Sequence, residues 1–220
     1  MKTRQSYIEE LEELKGSITH MGKTASDAIC RAMEAVSAQD ALLARRVIED
    51  DDVIDEMEVA VEDSCLSLIA RQQPMASDLR IIGTGMKIAT DLERIGDAAT
   101  DIARIALRLA NEPLIKPLVD LPRMAQMAEK MLEESLRAYR TRDVALAEKV
   151  CQDDDAVDDL YHQIFRELLT YMMERPATIS QATDLIFIAR HLERVADHAT
   201  NIGEWVIYLA TAKRVRKDFC

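Results

Sequence analysis

The chain repeats itself. Ile88-Ala-Thr-Asp-Leu-Glu-Arg-Ile-Gly-Asp-Ala-Ala-Thr-Asp-Ile102 returns one hundred residues later as Ile188-Ala-Arg-His-Leu-Glu-Arg-Val-Ala-Asp-His-Ala-Thr-Asn-Ile202. Each copy follows a matching acidic block, Asp50-Asp-Asp-Val-Ile-Asp55 in the first and Asp153-Asp-Asp-Ala-Val-Asp158 in the second. Two carboxylate-bearing segments in fixed order, used twice, restrict the fold to two copies of one architecture. At 220 residues each copy is long enough to bury a core of its own.

The copies read as helical. Apolar residues recur at spacings of three and four, as in Leu11, Leu14, Ile18 and Met21, or Ile81, Ile82, Met86, Ile88, Ala89, Leu92 and Ile95. Breakers are few: Pro74, the stretch from Asn111 through Pro113 and Pro117 to Pro122, and Pro176. The spacing predicts six long helices, roughly 3–37, 41–72, 76–110, 120–140, 144–174 and 179–213. The expected fold is all-α: two tandem, similar three-helix bundles related by internal duplication, over residues 1–112 and 113–220. Asp40 and Asp143 stand where an N-cap would open the second helix of each half. A core of Leu, Ile, Val, Ala and Met agrees with 48% hydrophobic residues of which few are aromatic.

A formal net charge of -12 disfavours nucleic acid, which demands clustered Lys and Arg. The one basic run, Lys213 to Lys217, falls at the end of the last expected helix, where it complements the helix dipole. Cys30, Cys65, Cys151 and Cys220 show neither CxxC pairing nor metal-type spacing with histidine. With a polar N-terminus, they read as reduced thiols of a cytoplasmic protein. No apolar run reaches the ~18 residues needed to span a bilayer.

The chemistry lies in the carboxylates. Asp51 and Asp55, Glu93 and Asp97, Asp154 and Asp158, Glu193 and Asp197 are each four apart, so on a helix each pair projects from one face. Asp51 and Asp97 are equidistant from Pro74, and so are Asp55 and Glu93. In the second half both matching pairs centre between Arg175 and Pro176. Antiparallel hairpins folded at these points set the pairs level and make a four-carboxylate patch in each half. Such a patch needs raised pKa values or bound cations. An all-oxygen donor set favours Mg²⁺, Ca²⁺, Mn²⁺ or Fe over structural zinc. Solvated helix faces and salt bridges to Arg80, Arg94, Arg190 or Arg194 are the plainer readings. Arg94 and Arg194 follow the glutamates directly and are expected to point about 100° away from them. His198, beside Asp197, could extend a metal shell.

Asp91-Leu-Glu-Arg-Ile-Gly-Asp97 and Leu192-Glu-Arg-Val-Ala-Asp-His-Ala-Thr-Asn-Ile202, each after its acidic block, resemble the PhoU family of phosphate-signalling regulators, as does Ala70-Arg-Gln-Gln-Pro-Met-Ala-Ser-Asp-Leu-Arg80. The likeness covers almost the whole chain. It implies two three-helix bundles and makes Asp51, Asp55, Glu93 and Asp97, with Asp154, Asp158, Glu193 and Asp197, ligands of multinuclear metal clusters. The family continuation Asp-His-Ala-x-Asn is intact at 197–201 but reads Asp97-Ala-Ala-Thr-Asp101 in the first half. There Asp101 could add a carboxylate. The resemblance further implies negative regulation of the phosphate-starvation response by a peripheral, cytoplasmic-side protein, commonly a homodimer. Its implied partners are the sensor histidine kinase and the ATPase subunit of the phosphate ABC transporter.

Two alternatives to this non-enzymatic adaptor stand. A ferritin-like carboxylate-bridged enzyme would need two Glu-x-x-His elements within one bundle, and no such doubled element occurs. A metal-free helical scaffold is the other.

Overall fold

Residues 2–214 are described by the computed structural model. Among them every regular element is helical: α1 (Lys2–Ala38), α2 (Ala41–Glu49), α3 (Asp51–Gln72), α4 (Ser77–Leu109), α5 (Asp120–Thr141), α6 (Val144–Glu174) and α7 (Ile179–Thr211), with a 3₁₀ turn at Pro176–Thr178 before α7. The first bundle is α1, the broken arm α2–α3, and α4; the second is α5, α6 and α7. No helix among the described residues is long and apolar enough to cross a membrane.

The duplication reaches the turns. α1 and α5 both end in a residue in the left-handed region, Gln39 at φ 53 and Arg142 at φ 55. In both, the next amide reaches back to the last turn, Asp40 N–H to Ala35 O and Asp143 N–H to Ala138 O, at 3.0 and 3.1 Å. This closes the helix with its terminal carbonyls satisfied. The same aspartates then cap the following helix: Asp40 accepts from the amides of Leu42 and Leu43, and Asp143 from that of Leu146. A stop and a start within two residues force a reversal, so each bundle begins as an antiparallel pair.

The sequence reading of one helix over 41–72 requires correction. The chain breaks at Asp50, which closes α2 and opens α3. Asp50 is held by Arg31 of α1 at 2.8 Å. Its counterpart Asp153 lies inside the unbroken α6 and pairs instead with Lys149. The basic run also departs from expectation. α7 stops at Thr211, Ala212 turns left-handed at φ 58, and Lys213 and Arg214 lie beyond the helix. Residues 215–217 of that run, and Cys220, fall outside the described residues. Arg214 sits 5.7 Å from the Trp205 ring centre, and Trp205 meets Tyr208 edge to face.

The core follows the repeat. Ile88, Leu92, Ile95 and Ile102 on α4, and Ile188, Leu192, Val195 and Ile202 on α7, are all fully buried. These residues put the two central helices against each other, with α1 and α5 also packed across the seam. Burial of such side chains contributes ~1.5–3 kcal/mol each. Close approach inside each bundle uses glycine: a Cβ on Gly96 of α4 would stand 2.9 Å from Ile54 Cδ1 of α3. One on Gly203 of α7 would stand 3.1 Å from the Ala147 carbonyl of α6. These pairs fix the antiparallel register of α3 on α4 and of α6 on α7, and therefore the level of the carboxylates they carry.

Candidate functional site

α3 carries Asp51 and Asp55 beside Glu93 and Asp97 of α4. The apolar sides of both helices face the core, which leaves these carboxylates at the rim, with Asp51, Glu93 and Asp97 half-buried and Asp55 exposed. They are close enough to act on one another. Asp51 has its pKa raised, first by burial and then by Asp55 and Asp97, while a hydrogen bond from Thr100 and the charge of Arg104 oppose the rise. Glu93 is raised by burial, then by Asp97, with Arg94 opposing and Glu58 and Asp55 adding.

The second lobe repeats the arrangement with less relief. Asp154, Asp158 and Glu193 are half-buried and Asp197 is exposed. Burial, followed by the charges of Asp158, Asp197 and Glu193, pushes Asp154 up to about 7. Asp158 is raised by burial and Asp197, with His162 and Arg190 opposing, and Glu193 by burial and Asp197, with Arg190 opposing. The two lobes differ because Asp154 is the more deeply buried and lacks the relief that the Thr100 hydrogen bond and Arg104 give Asp51.

The levelled pairs face each other without converging on one point. Among the described residues no group of three or more His, Cys, Asp or Glu side chains is gathered as a cation would require. Two buried oxygens of the patches nevertheless have no partner, Asp154 Oδ1 and Glu193 Oε2, while the buried Glu93 Oε2 is engaged by Arg94 alone.

Arginine does reach the patches, against the expectation that Arg94 points away. Its flexible side chain folds back, with Nε 3.2 Å from Glu93 Oε2 and Nη1 3.1 Å from Asp97 Oδ2. Backbone angle alone misjudged a side chain with four rotatable bonds. Arg190 forms the corresponding ion pair with Glu193 Oε1. Glu58, missed in the sequence, extends the α3 stripe toward Glu93; its signal was the spacing of seven from Asp51.

Asp101 and His198 point to the seam between lobes. Asp101 Oδ1 accepts from Arg104 at 2.7 Å, and its Oδ2 is 3.8 Å from His191 Nδ1. His198 Nδ1 is 2.9 Å from Asp91 Oδ1, which also accepts from Asn201 Nδ2 at 3.2 Å. Farther along, Arg108 pairs with Asp184 through Nε at 3.0 Å. The sequence carried a signal for this seam: the two motif copies differ at the positions that meet, Asp91 against His191 and Asp101 against Asn201.

Two antiparallel helical lobes, each bearing a levelled quartet of carboxylates beside a polar seam, define a duplicated helical-bundle protein with acidic surface patches. The PhoU domain family model matches residues 18–106 and again 121–206, and the chain belongs to the PhoU family. A phosphate-specific transport system accessory protein PhoU homolog of Aquifex aeolicus is 46% identical over 209 residues, covering 95% of each chain. One from Clostridium acetobutylicum is 42% identical over 214 residues, covering 97% of this chain and 98% of that one. The crystal structure of PhoU from Pseudomonas aeruginosa superposes with a TM-score of 0.90 at 40% identity, over 94% of this chain and 100% of that one. The phosphate transport system regulatory protein PhoU from Streptococcus pneumoniae gives 0.90 at 30% identity, over 96% and 99%.

Proposed function

We propose that this chain is a non-enzymatic negative regulator of the phosphate-starvation response, joining a high-affinity phosphate transporter to its sensor histidine kinase. The observation that carries this reading is end-to-end likeness to phosphate-specific transport accessory proteins, with both repeats matched. The halves 1–112 and 113–220 act as equivalent docking units, on the cytoplasmic face of the membrane and as a homodimer. The kinase and the transporter ATPase subunit are the partners. An acidic surface of net charge -12 favours basic partner faces through electrostatic steering.

The patches are read as cation sites: Asp51, Asp55, Glu93 and Asp97 in one lobe, Asp154, Asp158, Glu193 and Asp197 in the other. Their all-oxygen chemistry suits Mg²⁺, Ca²⁺, Mn²⁺ or Fe. The buried oxygens Asp154 Oδ1 and Glu193 Oε2, which have no hydrogen-bond partner, support the fit. A bound cation supplies the positive charge that cancels the repulsion within a patch and ties its two helices together. Gathering the donors requires the carboxylates to change rotamer and the arginine pairs to open.

Deleting the chain tests the regulatory role: phosphate-responsive genes become active in phosphate-replete cells, and unaltered expression refutes the role. Pull-down with the kinase and the transporter ATPase tests the partners. Elemental analysis tests the patches: bound metal is lost when Glu93, Asp97, Glu193 and Asp197 are replaced by Ala, and content unchanged by those substitutions rules them out as ligands.

A further inference from the structure

One cleft reverses the charge of this acidic chain. It lies where α1 passes the end of α5, with a volume of about 350 Å³. Lys15, His20 and Lys23 of α1 and Arg140 from the last turn of α5 line it, with Glu12 as the one carboxylate of its wall. Glu12 is already held by Lys15 at 2.5 Å. The side chains of Lys23 and Arg140 have no ion pair or hydrogen bond among the described residues, in a chain where 40 acidic residues outnumber 28 basic ones. Unpaired cations converging on a concavity, while carboxylates dominate elsewhere, make a local well for an anion.

The floor is open because Gly16 faces it: nothing lies within 4 Å of where its Cβ would be. Thr19 donates its hydroxyl proton to the Lys15 carbonyl at 2.8 Å, so the donors to a ligand are the basic side chains. We propose that this cleft between α1 and α5 binds a compact polyanion carrying more than one phosphate-type group, as in a condensed inorganic phosphate. Lys15 and Lys23 are eight residues apart, about 12 Å along the helix axis, a span that one tetrahedral oxyanion does not bridge. Arg140 closes the opposite wall with a planar fork suited to phosphate oxygens. The lining includes no Phe, Tyr or Trp and no large aliphatic side chain, so it offers no bed for an acyl chain. The inference is independent of the cation reading of the carboxylate patches, which lie on other helices.

Isothermal titration of metal-stripped, desalted protein with sodium tripolyphosphate, beside orthophosphate, tests it. The expected result is one tripolyphosphate per chain, bound tighter than orthophosphate and weakened by added salt. Replacing Lys23 and Arg140 together by Ala lowers the affinity by about tenfold without changing the melting temperature. The variant with Glu93, Asp97, Glu193 and Asp197 replaced by Ala still binds, which separates this cleft from the patches. Absence of tripolyphosphate binding at low salt overturns the proposal, as does binding undiminished in the Lys23/Arg140 variant. Capture of a poly-glutamate peptide in place of tripolyphosphate also overturns it, in favour of an acidic protein segment.

Discussion

His198 Nδ1 on α7 stands 2.9 Å from Asp91 Oδ1 on α4, and this pair joins the two lobes across their seam. Asn201 adds a second hydrogen bond to the same oxygen, while Asp101 and His191 approach from the other direction. Moving ten residues forward along α4, from Asp91 to Asp101, moves the partner ten back along α7, from Asn201 to His191. Since the repeats are offset by one hundred residues, the seam obeys an internal two-fold: each position in one copy meets the exchanged position of the other.

The seam is therefore a place where the lobes can be uncoupled without disturbing either core. His198→Ala leaves Asp91 with one donor at a mostly buried site, and a lost hydrogen bond to a charged group costs about 1.5–3 kcal/mol. The melting temperature is expected to fall by several degrees. Asp91→Ala combined with His198→Ala is expected to cost less than the two single changes added together. Additive losses would show that the pair does not couple the lobes.

The acidic patches make a pH prediction. In an unfolded chain an aspartate ionises at about 3.9, whereas burial and its acidic neighbours push Asp154 up to about 7 in the fold. A folded pKa above the unfolded one means that folding takes up a proton between those limits. The contribution to stability is full below the lower value and lost as pH rises through the upper. Asp51, Glu93, Asp158 and Glu193 are raised in the same direction. Thermal unfolding in chelator is expected to show a melting temperature that falls from about pH 5 to about pH 8. Asp154→Asn flattens that slope and melts above the parent at the alkaline end. An unchanged slope in the variant would remove Asp154 from the account.

Much of this was legible in the sequence because the information was periodic. Six helical arms, the capping aspartates and the level of the carboxylate pairs follow from spacing that backbone geometry enforces. The break at Asp50 was not legible: an Asp-rich stretch fits the first turn of a new helix as well as the interior of an old one, and Arg31, nineteen residues away, is what holds Asp50. Side-chain reach was illegible too. The Cα direction of Arg94 leads away from the patch, yet its guanidinium swings back to Glu93 and Asp97. The seam roles of Asp91, His191, His198 and Asn201 needed the packing of α4 on α7, which no single helix encodes.

The connector between lobes is held by two glutamines. Gln181, buried on α7, accepts from the Ile115 amide at 2.5 Å and donates to the Pro113 carbonyl at 3.1 Å. Gln39, at the end of α1, donates to the carbonyls of Leu109 and Glu112 at 2.6 and 2.7 Å. Gln181→Leu keeps the volume but removes the hydrogen bonds to the part-buried Ile115 amide and Pro113 carbonyl, at about 0.5–1.5 kcal/mol each. Limited proteolysis is expected to cut the variant between 111 and 118 well before the parent. Equal cutting rates would mean that the connector is held by other means.

The arginines provide the sharpest distinction between a cation patch and a plain salt-bridge network. Arg94 occupies Glu93 and Asp97 in the first lobe, and Arg190 occupies Glu193 in the second. A cation entering either patch must compete with a guanidinium for the same oxygens. Removing the guanidinium therefore does opposite things in the two cases. If the carboxylates serve cations, Arg94→Ala and Arg190→Ala raise Mn²⁺ affinity several-fold, because a neighbouring positive charge and a competing partner are both gone. The metal-free variants lose stability, since like charges are left facing each other, and added Mn²⁺ restores their melting temperature through preferential binding to the folded state. If the arginines are the intended partners, exposed pairs of this kind contribute about 0–1 kcal/mol, the variants melt slightly lower, and Mn²⁺ makes no difference. Titration of Mn²⁺ by electron paramagnetic resonance, run beside thermal unfolding on the same samples, separates the outcomes. Unchanged Mn²⁺ affinity in both variants would identify Arg94 and Arg190 as the permanent occupants of these carboxylates.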